Sequence, residues 1–166
     1  MNEGLKAKYW IDNLDMQPHP EGGYYKEIYR NNTEVEIDGY SGKRNIATSI
    51  YYLLEKGDKS HLHRLKSDEI WYYHYGASFK IILINNTESI LQEVMLGAQI
   101  NKGEKLQVVI PAGTIFGGYI PGKGDYSLFG CMVNPGFHFN DFELVNKEAL
   151  TGMFRQHTNI IDFLTK

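Results

Sequence analysis

The stretch Ser60-His61-Leu62-His63-Arg64-Leu65-Lys66-Ser67-Asp68-Glu69-Ile70-Trp71 concentrates the potential chemistry of this 166-residue chain. Side chains two apart on a strand share a face, so His61 and His63 are expected to project together, with Glu69 opening the next strand towards them. Two imidazoles and a carboxylate make a facial set for one divalent ion, Fe, Mn, Ni or Zn, with positions left open for substrate. A metal-free reading stands beside it, in which the histidines line a polar cavity and His63 is the candidate base. A neutral imidazole can abstract a proton α to a carbonyl near neutral pH, and Glu69 or Asp68 would fix its tautomer and raise its basicity. Trp71 and Tyr73 share parity with Glu69. If Glu69 faces inward, Tyr73 is a candidate acid and Trp71 a stacking wall for substrate, the alternative for both being core packing.

Other residues divide between site and scaffold. Phe116 and Tyr119, with Phe129, read as an apolar wall for a ligand or as barrel filling. Arg64 points away from His63 on a regular strand and needs a carboxylate, with Glu21, Asp141 and Glu143 as candidates. His74 lies opposite Glu69 by alternation, a sheet-surface or dimer-interface position unless a bulge intervenes. His138, between Phe137 and Phe139, reads as structural. Cys131 sits in an apolar strand with no adjacent cation, the setting of an inert thiol. The turn His19-Pro20-Glu21-Gly22-Gly23 reads either as a cap over a cavity mouth or as a tight turn opening the first strand. Gly117-Gly118 lacks the lysine and following helix of a phosphate loop, and no serine-nucleophile elbow is present.

The elements that must position these residues are mostly strands. Ala7, Trp10, Ile11 and Leu14 mark one apolar helical stripe, ended by Pro18 at the latest. Then β-rich runs follow over Tyr24 to Tyr29, Ile46 to Leu54, Glu69 to Tyr75, Phe79 to Ile84, Ile90 to Leu96, Leu106 to Ile110 and Ser127 to Val133. Asp38-Gly39, Asn85-Asn86, Asn101-Lys102-Gly103 and Pro121-Gly122 supply the reversals, and such short connections favour antiparallel pairing. Asn146 is a candidate N-cap for a short helix over Lys147 to Phe154, with another over Asn159 to Leu164. An all-β jelly roll with short helices at both ends is expected, as one domain over residues 1–166, its interior filled or holding one small ligand.

Composition narrows the function classes. Aromatic residues make up 13%, with twelve tyrosines and seventeen glycines, a mix that favours strands and turns. Seventeen Lys and Arg against twenty Asp and Glu give a net charge of -3, too balanced for a phosphate-backbone footprint, so nucleic acid is excluded as partner. One cysteine cannot form an internal disulfide, and the N-terminus lacks the pattern of a signal peptide, so a cytoplasmic location is expected. The longest stretch without formal charge, 106–122, is broken by Pro111, Gly113, Gly117, Gly118 and Pro121 and is not read as a membrane span.

Gly57, His61, His63, Glu69 and Gly76, with Pro111-Ala112-Gly113, resemble the two motifs of the cupin superfamily, although the position of the fourth metal ligand is Phe116. A closer similarity is to one cupin branch known mainly as a domain of unknown function. It is carried by His19 to Glu27, His63 to Trp71, Pro111 to Gly113, and Gly130 to Val133 running into Pro135 to Leu144. The layout of Phe154 to Thr165 is similar as well. The resemblance implies a double-stranded β-helix barrel, a homodimer, and kinship with metal-free deoxysugar epimerases of the same superfamily. In those enzymes a histidine is the base, a place that His63 matches here. It also implies a small-molecule ligand, with isomerase or epimerase chemistry leading and two alternatives beside it. One is a metal-dependent dioxygenase or isomerase on His61, His63 and Glu69; the other is a non-catalytic metabolite binder.

Overall fold

The computed structural model describes residues 6–20, 22–85 and 90–166. In chain order its elements are α1 (Ala7–Asn13), β1 (Gln17–Pro18), β2 (Tyr24–Arg30), β3 (Glu34–Val35), β4 (Arg44–Asn45), β5 (Thr48–Glu55), β6 (Lys59–Leu65) and β7 (Asp68–Gly76). There follow β8 (Phe79–Asn85), β9 (Ile90–Leu96), β10 (Gln107–Ile110), β11 (Ile115–Tyr119), β12 (Tyr126–Asn134), β13 (Phe142–Leu144), α2 (Lys147–Met153) and α3 (Thr158–Leu164). A six-stranded sheet in the order β1-β2-β5-β12-β7-β10 faces a five-stranded sheet in the order β13-β6-β11-β8-β9, every ladder antiparallel. This is the expected all-β jelly roll.

The middle of the small sheet is buried on both faces, which explains why β8 reads as a near-continuous apolar run. Along β8, Phe79 and Ile81 enter the core between the sheets while Ile82 and Ile84 enter a second core outside. That outer core is closed by Leu150, Phe154, Ile161 and Leu164 of the C-terminal helices, so these helices cover a sheet face. Each such side chain, fully buried, contributes about 1.5–3 kcal/mol. Asn146 caps α2 as expected, its side chain accepting from the Ala149 N–H at 2.9 Å. The apolar stripe of α1 packs against Leu53, Tyr126 and Leu128 on the outer face of the large sheet. α1 stops at Asn13, before the reversal at Asp15 (φ 52°), and not at Pro18.

Six strands lie outside the sequence-based runs: the two-residue β1, β3 and β4, and β6, β11 and β13. β11 carries Gly117-Gly118, which lowers its apparent strand propensity, β13 is three residues long, and β6 mixes Lys, Ser, His and Arg with leucine. The buried Arg44 guanidinium grips Asp141 in two-pronged fashion (2.5 and 2.9 Å) and donates to the carbonyls of Ser41 and Lys43. It ties the excursion before β5 to the turn before β13, and so fixes one rim of the space between the sheets.

Candidate active-site cavity

Between the sheets lies a cavity of about 290 Å³. Strand alternation supplies its large-sheet wall: Ile50 and Tyr52 from β5, Glu69 and Trp71 from β7, Cys131 and Val133 from β12. The register pairs Trp71 with Cys131 and Glu69 with Val133, which sets the carboxyl beside the thiol. The small sheet contributes Ser60, His63, Leu65 and Phe142.

Ser60 and His63 are three residues apart and cannot share a face on a regular strand. A bulge resolves this: Phe116 pairs with His63 and Gly118 with Ser60, so Gly117 alone opposes both His61 and Leu62. Leu62 is thereby sent into the outer core, and His61 does not line the cavity. A Cβ on Gly117 would stand 2.5 Å from the Ser60 carbonyl oxygen and 3.1 Å from the Leu62 nitrogen, so this backbone approach requires glycine. A second bulge, at Ile28 of β2, puts Glu27 and Arg30 together on the cavity wall, where the guanidinium meets the carboxylate at 3.0 and 2.7 Å.

His63 is held from behind. Its ring lies between those of Phe116 (4.1 Å) and Phe142 (5.2 Å), and its Nδ1 sits 2.7 Å from the His61 carbonyl oxygen. A carbonyl only accepts, so Nδ1 carries the proton and Nε2 is the lone-pair nitrogen. The tautomer is therefore set by backbone, and not by Glu69 or Asp68 as expected from sequence. Asp68 instead accepts from the Ala112 N–H at 2.8 Å. Burial lowers the His63 pKa to about 4, with the nearby imidazoles of His19 and His61 acting in the same direction and the His61 carbonyl opposing. His63 is neutral at physiological pH.

Glu69 is shifted the other way. Burial raises its carboxyl to about 7, and the adjacent Trp71 indole and Cys131 thiol offset only part of that. The same burial, with the Glu69 charge beside it, pushes the Cys131 thiol well up, consistent with an unreactive sulfur. Glu69 Oε2, Trp71 Nε1 and Ser60 Oγ are all buried without a hydrogen-bond partner, and all three residues line this cavity. Buried polar atoms are rarely left so.

The turn preceding β2 closes over this space. His19 and Pro20 line the cavity, and the His19 ring packs edge-on against Tyr25 (4.9 Å) and tilted against Tyr52 (4.8 Å). Tyr52 donates to the Gly22 carbonyl (3.0 Å) and Lys166 to that of Pro20 (3.1 Å), while Gly22 and Gly23 adopt φ of 109° and 70°. The segment is thus both a tight turn and a cap. Glu21 lies outside the described residues.

Several expected site residues fall elsewhere. Tyr73 has inward parity, but it stands beyond Trp71 and its hydroxyl donates to the Gly76 carbonyl at 2.7 Å, so it does not line the cavity as an acid. Phe116 backs His63 without lining the space, and Tyr119 joins the outer core against Phe163 (5.0 Å). With His61 turned away, the set His61, His63 and Glu69 is not assembled. Among the described residues no three His, Cys, Asp or Glu side chains are placed to hold a metal ion. The donors present therefore do not fit the facial site. Arg64 pairs with Glu143 (2.9 and 3.0 Å), one of its expected partners. His74 stays on the outer side against Tyr51 although β7 bulges there.

Sequence reasoning missed Ser60, Tyr52 and Arg30 as wall residues and treated Cys131 only as core, whereas His19 lies in the turn read as a candidate cap. Extending strand parity to β5 would have found Tyr52. Ser60 and Arg30 depend on bulges, which parity does not reveal.

The family described as Cupin superfamily (DUF985) matches residues 8–145. A hypothetical protein from Leishmania major is 35% identical with a TM-score of 0.87, over 97% of this chain and 99% of that one. A Shewanella oneidensis protein of known structure is 40% identical with a TM-score of 0.86, over 98% of each chain. Oxalate decarboxylase from Bacillus subtilis shares the fold at 18% identity and a TM-score of 0.56, over 91% of this chain and 37% of that one. No curated protein matches. Among the described residues, no helix is long and apolar enough to cross a membrane. Fold, motifs and matched span agree, and the chain belongs to the DUF985 branch of the cupin superfamily.

Proposed function

We propose that the cavity binds a compact polar, sugar-like molecule and that the protein is an isomerase- or epimerase-type enzyme in which His63 moves the proton. The observation that carries this is a neutral imidazole, anchored through Nδ1, facing the same cavity as a carboxyl that burial keeps protonatable near neutral pH. Two groups whose surroundings push their pKa values apart are suited to act as base and acid. Nε2 of His63 takes a proton from the carbon α to a carbonyl, and the C–H electron pair moves into the carbonyl. Protonated Glu69, replacing Tyr73 as the acid, gives its proton to the developing oxyanion. When His63 returns its proton to the neighbouring carbon, whose hydroxyl gives its own proton to Glu69, the ligand is isomerised. When the enediol turns over in the cavity, so that His63 returns its proton to the other face of the first carbon and Glu69 takes back the oxygen's proton, it is epimerised, and each route restores both residues.

Such acid–base assistance is worth about 10²–10⁴ in rate. The test is proton NMR of neutral hydroxy-carbonyl compounds incubated in deuterium oxide with the full-length protein. Loss of the α-proton signal, slowed at least a hundredfold by His63→Gln, is expected. Binding without exchange would instead make the protein a metabolite binder. The homodimer implied by the family resemblance belongs to this proposal and is read by analytical ultracentrifugation.

A further inference from the structure

The polar atoms of the cavity restrict what can occupy it. An indole N–H only donates, so whatever faces Trp71 Nε1 must accept. His63 Nε2 carries a lone pair and calls for a ligand donor. The Ser60 hydroxyl and the Glu69 carboxyl can do either. Ser60 Oγ, Glu69 Oε2 and Trp71 Nε1 make no well-formed hydrogen bond within the protein, and the one group competing with a ligand for the indole is the neighbouring Glu69 carboxyl, whose pKa the indole lowers.

Charge restricts the ligand further. Among the described lining residues the one guanidinium is Arg30, and its fork is occupied by Glu27 (3.0 and 2.7 Å) and by the Asn45 side-chain oxygen at 2.9 Å. Among the described residues no lysine lines the space. A carboxylate ligand would bring a negative charge beside Glu69 with no cation left to receive it, which burial makes costly.

We infer that Trp71 Nε1–H and the Ser60 hydroxyl hold the carbonyl oxygen of an electrically neutral hydroxy-carbonyl ligand, and that the cavity discriminates against the corresponding carboxylates. Hydroxyls alone would satisfy the donors; the carbonyl is required by the role given to His63, and to that extent the inference rests on the proposed function. The same two donors would then strengthen their hold as the oxygen gains charge, ahead of proton transfer from Glu69.

The test uses the indole N–H resonances in nitrogen–proton NMR of the full-length protein. Trp10 is the internal control, because its indole already donates to the Tyr126 hydroxyl at 2.7 Å. Dihydroxyacetone and glyceraldehyde are titrated beside glycerate and oxalate. The expected result is a downfield shift of the Trp71 resonance with the neutral compounds, at concentrations at least tenfold below those the carboxylates need. Ser60→Ala is expected to weaken the neutral compounds about five- to tenfold. Trp71→Phe, followed by saturation transfer to the ligand, is expected to do the same. Carboxylates binding as tightly as the neutral compounds would overturn the inference and leave the cavity a binding site. A Trp71 resonance unmoved by every compound would overturn it outright. Neutral compounds that bind selectively but exchange no hydrogen would sustain the selectivity and sink the acid–base reading.

Discussion

The space between the two sheets has two ends that share β5, β7 and β12 and are treated in opposite ways. At one end Trp71 stacks on Phe129 (4.6 Å), Phe79 meets Phe129 at 5.1 Å, and Leu54, Ile81 and Leu96 complete a fully buried apolar cluster. At the other end the side chains stop short of filling the gap, and the polar groups facing it include the imidazoles of His19 and His63, the carboxyls of Glu27 and Glu69 and the Ser60 hydroxyl. Trp71 belongs to both. Close packing supplies stability and single-valued geometry; the open end forgoes packing and leaves polar atoms unpartnered, as expected where function and stability conflict. Substitutions at the two ends should therefore move stability in opposite directions.

The largest effect is expected at the packed end. Phe129→Ala removes a ring that contacts Tyr52, Trp71 and Phe79, and should cost about 3–5 kcal/mol in urea unfolding. A loss below about 1 kcal/mol would show that this end is not the stabilising half.

Glu69→Gln comes next and is read through pH. A carboxyl raised from 4.5 to about 7 binds its proton more tightly when folded, so its contribution is present below pH 4.5 and is lost as pH rises through 7. The span corresponds to about 3 kcal/mol. His19 and His63, both lowered from 6.5 to about 4 mainly by burial, act oppositely and add stability as pH rises over that interval. Comparing Glu69→Gln with wild type removes the histidine contribution. The variant should gain on wild type by up to about 3 kcal/mol between pH 4.5 and 8, and a pH-independent difference would contradict the shift.

Gly117→Ala forces the β6 bulge apart. It should cost about 1–3 kcal/mol and also reduce hydrogen exchange, because Ser60 and His63 no longer share a face. Unchanged exchange in a destabilised protein would separate the bulge from the chemistry. The smallest effect carries the opposite sign. Ser60→Ala deletes a buried hydroxyl that has no partner, so the ligand-free protein should be equally stable or more stable by about 1 kcal/mol, in scanning calorimetry, while ligand binding weakens.

Much of the fold was legible because alternation and turn chemistry are local. The runs from Tyr24 to Val133 became strands, Asn146 became a cap, and the cupin motifs marked the barrel. Within the site, His63, Glu69 and Trp71 were legible for the same reason. His61 was not, because its orientation is decided by Gly117, more than fifty residues away, and no local pattern in Ser60-His61-Leu62-His63 announces a bulge. Tyr73 illustrates a different limit: parity states which face a side chain takes but not how far along the strand the cavity extends. Two residues, about 7 Å, carry it past Trp71 into the packed end. The partner that sets the His63 tautomer is a backbone carbonyl, and backbone partners have no side-chain signature.

The most direct measurement is long-range nitrogen–proton NMR of the His63 ring between pH 5 and 8, assigned with His63→Gln. The expected spectrum shows a neutral ring across the whole range, with the proton on Nδ1, a lone pair on Nε2, and a shift of Nε2 alone when dihydroxyacetone is added. A proton on Nε2, or an imidazolium at pH 6, would contradict the assignment of His63 as the base.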